Sequence, residues 1–525
     1  MTTINRRSLL LAGLGLAGGG VLAACSGPKG GSAALVGPSG SAVAAAETKR
    51  AAGGAERTVR LTAAATPVDL GGTTVNTWTF GGQLPGQEIR LTAGDTLVAQ
   101  LANHLAAPTS IHWHGLSLRN DMDGVPPVTM REVPAGGSFD YRFIADRPGT
   151  YWYHPHVGVQ LDRGLYGPLI VEDPHEPLKY DDEWVVVLDD WLDGVTGTPD
   201  EAFAELSKGM GGMNHGMGGM DHGSGGMDMG GMDMGQSPSS TGGGMSMKFM
   251  LMGATSALLG GDAGDVNHPH HLINGRLPAA PAVKQAKPGA RVRLRVINAG
   301  GDTAYRVALG GHRLTVTHTD GYPVEHQEVD ALLLGMGERY DVLVTLQDGV
   351  FPLVSLAEGK NATGTALIRT GSGQAPEPSF RPTELDGRLL TADQLRADQG
   401  VRLAARTPDV THRLQLTGGM ARYDWSINGR RFDMNDPVAG AFLVGQGQRV
   451  RLEFTNASEM WHPMHLHGHT FQVGDTGPRK DTVIVKPKQR IVCDFDADNP
   501  GQWMVHCHNA YHGESGMMGL VAYRA

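Results

Sequence analysis

Ten of the 22 histidines fall in four short clusters. These are His112-Trp113-His114, His154-Pro155-His156, His462-Pro463-Met464-His465-Leu466-His467, and His506-Cys507-His508 followed by His512 and Met517. Residues i and i+2 of a strand share a face, so each His-x-His pair aims two imidazoles at one place. Four pairs imply eight converging imidazoles. With no carboxylate at ligand spacing, such a set suits copper, iron or zinc better than calcium or magnesium. The last cluster narrows the choice. Cys507, His512 and Met517, spaced by five and five, join His462 to supply two imidazoles, a thiolate and a weak thioether, the ligand set of a blue-copper electron-transfer centre. Zinc gains nothing from the methionine, and iron–sulfur clusters need more thiolates. Strand alternation also points Cys507 away from His506 and His508, so one metal site lies on each face, joined by adjacent covalently linked residues. An electron entering at Cys507 can reach the histidine cluster without its donor entering that cluster.

Three segments share one template that could position these residues: Gly94 to Asn103, Gly289 to Asn298 and Gly447 to Asn456, each an alternating apolar strand running from a glycine to an asparagine. A second marker precedes each, at Phe80-Gly81-Gly82, Ile273-Asn274-Gly275 and Ile427-Asn428-Gly429. The intervals between copies place one insertion between the first and second, visible as a Gly/Met tract from Gly209 to Met252. The reading is all-β: three sandwich domains, one carrying a flexible insertion, with short helices over Thr198 to Leu206 and Thr391 to Ala397. The 76 glycines and 30 prolines agree with many short strands and tight turns.

A net charge of −10 without any long block of like charge argues against nucleic acid as a partner. Three cysteines, Cys25, Cys493 and Cys507, cannot form a disulfide framework. Arg6-Arg7 ahead of an apolar, glycine-rich run looks like a twin-arginine secretion signal. Leu22-Ala23-Ala24-Cys25 resembles a bacterial lipoprotein box, in which Cys25 would carry lipid. We expect a signal over 1–25, a flexible tether over 26–56, a folded body from near Thr58, and domains over 57–175, 176–375 (with the insertion at 209–252) and 376–525. The protein would then be exported to the cell envelope or periplasm and meet the membrane through its lipid anchor alone.

The four motifs, His-Trp-His-Gly at 112, His-Pro-His at 154, His-Pro-Met-His-Leu-His-Gly at 462 and His-Cys-His-x₃-His-x₄-Met at 506, resemble those of the multicopper oxidases. That family includes laccases, ascorbate oxidases and bacterial copper-tolerance oxidases. The resemblance implies cupredoxin-like Greek-key domains and four copper ions. A type 1 copper would take His462, Cys507, His512 and axial Met517, and a type 2 copper His112 and His465. A type 3 pair would take His114, His154 and His508 on one ion and His156, His467 and His506 on the other. It implies dioxygen reduction to water, a cluster between the first and third copies, and a second copy acting as a spacer. Asp123 falls where the family places a proton-delivering carboxylate, in preference to Asp121. Gly513 stands where relatives have a relay glutamate, and the acid here is Glu514.

Thioethers favour cuprous ion, so the tract's methionines, among them Met213, Met217, Met220, Met227, Met229, Met232 and Met234, are expected to collect it. Glu459 and Met460, just before His462, could form a last docking point. Cuprous ion is therefore the expected donor, followed by a phenolic or other small reducing donor and then by ferrous or manganous ion. A non-catalytic copper store explains the tract but leaves the Cys507 path without purpose. Copper nitrite reductase shares the domain type but not four His-x-His pairs. His268-Pro269-His270-His271 and Cys493 are read as structural, and His469 as either a neighbour of the ligands or ordinary strand surface.

Overall fold

The three repeated segments become central strands, Asp95–Asn103, Arg291–Asn298 and Arg449–Asn456, in a computed structural model that describes residues 34–50, 53–211 and 247–525. Each pairs in parallel with an earlier strand, Glu56–Asp69, Asp182–Trp191 or Val410–Thr417. Each pairs antiparallel with a later one, Ser138–Ala145, Arg339–Thr345 or Arg490–Asp496. The terminal asparagine recurs because its amide has the same role each time. Its Nδ2 donates to two carbonyls, those of Ala107 and Val133, Thr303 and Leu334, or Met460 and Val485. Its Oδ1 accepts the backbone N–H two residues on. Leaving such buried groups unpaired would cost about 1–3 kcal/mol each. The second marker is a turn with both central residues at positive φ: Gly81 and Gly82, Asn274 and Gly275, Asn428 and Gly429. That conformation matches the twist of a two-residue hairpin and is open to glycine and asparagine.

The first copy has two four-stranded sheets, the second two six-stranded sheets and a two-stranded ladder of Thr255–Ser256 with Gly261–Asp262, and the third one of six and one of five. The all-β, three-sandwich reading therefore holds. The histidine clusters sit on one sheet of the first copy and one of the third. His112–His114 pairs with Gly149–His154, setting His112 opposite His154. His462–Leu466 pairs with Gln502–Cys507, setting His465 opposite His506.

Three expectations need correction. Half of the supposed flexible tether is folded. Val36 N–H donates to Tyr523 at 2.9 Å, α1 (Ser41–Glu47) buries Val43 to 1 % exposure, and Arg50 pairs with Glu47, Asp146 and Asn499. Leu35, Val36 and Val43 in an otherwise small, polar stretch dock it, and the body begins at Leu35. The insertion's last residues also belong to the core. Lys248, Phe249 and Met250 donate their N–H groups to the Glu205 carboxylate, and Phe249 and Met250 are buried. Of the two expected helices, α2 (Pro199–Leu206) forms behind a Thr198/Glu201 capping box. The other is a single 3₁₀ turn, Ala392–Gln394, because Ala397 bridges Val324 instead. A third helix, α3 (Ala510–Ser515), carries His512 and was not foreseen. Cys25, the signal and Met213 to Met234 lie outside the described residues.

Candidate metal centre

The eight imidazoles converge between the first and third copies. His112 stacks on His467 and His114 on His465, each with ring centroids 3.8 Å apart. Hydrogen bonding fixes the tautomers. Nδ1 of His112 donates to the Asp123 carbonyl at 2.9 Å, that of His154 to Pro155 at 2.8 Å, and that of His465 to Asp481 at 2.9 Å. The Nε2 atoms of these three residues are buried and have no partner on the protein. A lone pair held inward while the other nitrogen is anchored is how a metal-ligating histidine is prepared. The remaining inward nitrogens approach one another: His508 Nε2 to His114 Nδ1 at 3.2 Å, His467 Nε2 to His506 Nε2 at 3.0 Å, and His156 Nε2 to His506 Nε2 at 3.5 Å. Ligand atoms close enough to share one ion gather as His112/His114/His465, His114/His154/His508 and His156/His467/His506.

Burial, and then mutual repulsion, push the pKa values of His154, His156, His467, His506 and His508 well below the ordinary value. His114 is also well below it, with Asp481 opposing the shift. Neutral imidazoles are what a metal requires. Of the two candidate acids, Asp121 is tied to Arg119 at 2.6 Å. Asp123 is fully buried, with Oδ1 3.2 Å from His112 Nδ1 and Oδ2 3.0 Å from His467 Nδ1. A cleft of about 530 Å³ reaches His154, His156, His506 and His508, and Glu514 lines it. Burial raises the Glu514 pKa. Gly513 lines the same cleft, and the acid comes one residue later.

On the other face of the strand, Cys507 Sγ lies 3.6 Å from His462 Nδ1 and 3.7 Å from His512 Nδ1. Met517 is fully buried in the same core, and its carbonyl accepts from Cys507 N–H at 3.0 Å. His462 Nε2 bonds Ser458 Oγ at 2.7 Å and His512 Nε2 bonds Asp265 Oδ2 at 2.9 Å, leaving both Nδ1 atoms for the sulfur side. Glu459 and Met460 do not converge. Met460 is buried in the core while Glu459 is 82 % exposed beside Lys488.

The second copy is more than the expected spacer. Besides Asp265, it supplies Asp302, whose Oδ1 accepts from Asn509 Nδ2 at 2.7 Å and from Asp265 N–H at 3.0 Å. Asn509 in turn caps α3, so Asp302 holds both His512 and its hydrogen-bond partner. Arg339 from the same copy forms a bidentate pair with Asp481. Sequence reading missed Asp265, Asp302, Arg339 and Asp481. A signal was present in charged residues interrupting buried strands, as in Glu338-Arg339-Tyr340-Asp341. Of the other eye-catching groups, Cys493 is buried as read, and His469 is buried and not on a strand surface. His268 lies between Asp162 and Asp190, His271 bonds Tyr305 Oη, and His469 joins Tyr523 Oη to the His467 carbonyl.

Family models for multicopper oxidase match residues 62–176, 182–373 and 405–525. The chain belongs to the multicopper oxidases. Multicopper oxidase MmcO of Mycobacterium tuberculosis is 47 % identical over 531 aligned residues, covering 99 % of this chain and 96 % of the relative. The copper resistance protein A homolog of Pseudomonas syringae pv. tomato is 29 % identical over 552 residues, covering 87 % and 90 %. The laccase from Botrytis aclada shares the fold, with a TM-score of 0.70 at 23 % identity and coverage of 94 % and 92 %. As a multicopper oxidase, this is a copper-dependent oxidoreductase that takes electrons from a reducing substrate and uses dioxygen. Its three sandwiches are cupredoxin-like, as expected.

Proposed function

We propose that this multicopper oxidase oxidises cuprous ion and thereby detoxifies copper, reducing dioxygen to water. Its residues fit four coppers: His462, Cys507, His512 and Met517 for type 1, His112 and His465 for type 2, and His114/His154/His508 with His156/His467/His506 for the type 3 pair. Bound there, the four ions supply one-electron oxidation at one site and four-electron reduction of dioxygen at the other. The chain's own part is separation and proton supply. Cys507 lies between His506 and His508, so two peptide links join the sites while the donor stays out of the cluster. Asp123, held against His112 and His467, and Glu514, lining the cleft, are placed to hold and pass protons toward the histidines.

One observation carries the choice of donor: the two ends of the Met-rich insertion are rooted beside the cysteine site. Met210 N–H donates to the Met420 carbonyl at 3.0 Å, and Leu251 N–H donates to the carbonyl of Asp265 at 2.7 Å. The side chains of Met210, Met247, Met250 and Met420 pack on the core that contains Cys507 and Met517. Soft thioethers leading to a carboxylate on His512 suit a cuprous donor. The buried state of both His462 and His512 gives a phenolic ring no exposed imidazole edge to meet. Relatives named for copper resistance agree with this reading. Export through the twin-arginine route and lipidation of Cys25 are part of the same proposal, and rest on the motifs of the first 25 residues.

The test is oxygen uptake by copper-loaded protein fed cuprous ion, against Cys507→Ser as the control for spontaneous oxidation. Uptake well above the control, without peroxide, is expected; uptake equal to it would discard cuprous oxidation. Deleting residues 209–244 should raise the half-saturating cuprous concentration and spare small organic donors. Equal losses on both would count against the tract as a collector.

A further inference from the structure

Arg339 opens the strand Arg339–Thr345 of the second copy, and its side chain is fully buried. Nη1 and Nη2 each donate to one oxygen of Asp481, in the third copy, at 2.7 Å. Nε donates to the carbonyl of Thr150 at 3.0 Å, in the first-copy strand that ends at His154. One guanidinium therefore bonds all three copies, and it does so directly behind the histidine cluster. Asp481 Oδ1 lies 3.2 Å from His114 Nε2 and 3.4 Å from His465 Nδ1. Turning Nε2 of His114 toward Asp481 leaves its Nδ1 facing inward, 3.2 Å from His508 Nε2.

The surroundings are shaped around this contact. Gly115, at φ +88°, follows His114, and a Cβ there would lie against Arg339 Nη2 and 2.8 Å from Asp481 Oδ2. Gly337, at φ +83°, lets the second copy's hairpin close on the cluster. A Cβ on it would be 2.9 Å from His114 Cε1 and 3.0 Å from His508 Cδ2. Asp320 fixes the Arg339 backbone N–H at 2.9 Å and also holds Lys480, the residue before Asp481, at 3.0 Å.

We propose that Arg339 is a positioning residue for the histidine cluster, acting through Asp481 to fix which nitrogens of His114 and His465 face the metals. The second copy is then required to assemble a cluster to which it gives no ligand. This rests on the four-copper assignment above. Lysine cannot replace the arginine, because an ammonium lacks the planar fork that meets both carboxylate oxygens while also reaching Thr150.

The experiment compares copper-loaded, full-length wild type with Arg339→Lys, Arg339→Met and the Arg339→Met/Asp481→Asn double variant. Copper per chain, chelator competition, the type 2 cupric resonance signal, the blue type 1 absorption and thermal unfolding are measured. Loss of a ligand-orienting partner lowers metal affinity about 10- to 100-fold. That loss is expected in all three variants for type 2 copper, assigned to His465, and for the type 3 ion assigned to His114, with a shifted type 2 signal and an unchanged blue absorption. The double variant, freed of an unpaired buried carboxylate, should unfold at a higher temperature than Arg339→Met without regaining the type 2 signal. Wild-type affinity and an unaltered type 2 signal in Arg339→Lys would overturn the inference. So would parallel loss of type 1 and type 2 copper, which would mark a role in the fold alone. Wild-type protein loading fewer than four coppers would overturn the ligand assignment, and the inference with it.

Discussion

Replacing Asp265 with asparagine tests how the second copy tunes the cysteine site. Oδ2 of Asp265 accepts from His512 Nε2 at 2.9 Å and from Tyr423 Oη at 2.7 Å, with all three side chains buried. A hydrogen bond to a charged group contributes about 1.5–3 kcal/mol and a neutral one about 0.5–1.5. Removing the charge while keeping the shape therefore forfeits about 1–1.5 kcal/mol with the more positive state of the site. For a one-electron couple a tenfold change in equilibrium is about 59 mV, so the reduction potential should rise by about 40–65 mV. The sign is upward because the lost negative charge had favoured cupric over cuprous copper. The metal-free imidazole feels the same carboxylate. Burial lowers its proton affinity, but Asp265 and Cys507 together overcome this and bring the His512 pKa up to about 10 from 6.5. A proton on the ring feels the carboxylate fully, whereas charge on a metal beyond the ring feels it less. The assay is a redox titration of the blue absorption in the copper-loaded variant and wild type. An unchanged or lowered potential, with the blue absorption retained, would refute the reasoning.

Three further outcomes are expected. In metal-free protein the raised His512 pKa contributes stability that is complete below about pH 6.5 and lost as the pH rises to about 10. Type 1 loading must displace that proton, so chelator competition should show copper affinity strengthening with pH across this window, with a shallower slope in Asp265→Asn. Asp123→Ala should keep the blue absorption but slow turnover with excess reductant about 10²-fold or more, the usual contribution of a positioned proton donor; oxygen reduction unchanged across the pH range would remove Asp123 from the mechanism. Val43→Glu would place an unpaired charge at a site 1 % exposed, undocking α1, so limited proteolysis should cut faster within residues 34–50 while the blue absorption stays constant.

The candidate ligand clusters were legible because each motif is local. His-x-His needs only the two-residue period of a strand to aim both rings, and Cys507 takes the other face by the same alternation. The repeat was legible for a similar reason, since Asn103, Asn298 and Asn456 each satisfy a loop within their own copy. The tether reading failed because composition averages over a segment, whereas docking depends on a few apolar residues meeting a complementary surface: Leu35 beside Arg524, Val36 beside Tyr523 and Val43 in the third copy's core.

What the sequence hid is the layer behind the ligands, and the reason is geometric. Asp265 and Asp302 reach the His512 loop from the second copy, and Arg339 reaches Asp481 and Thr150 from there too. None of these contacts has a period or a spacing, because each spans a boundary between separately folded sandwiches. A buried carboxylate or guanidinium is costly unless paired, so these residues persist only where a partner from another copy completes them. The second copy thus loses nothing by lacking ligands. It supplies Asp265, which raises proton affinity on His512, and Arg339, which pairs with the Asp481 carboxylate facing His114 and His465. A chain cut down to the first and third copies would keep every proposed ligand and Asp481, yet present His512 without Asp265 and Asp481 without the guanidinium that pairs with it.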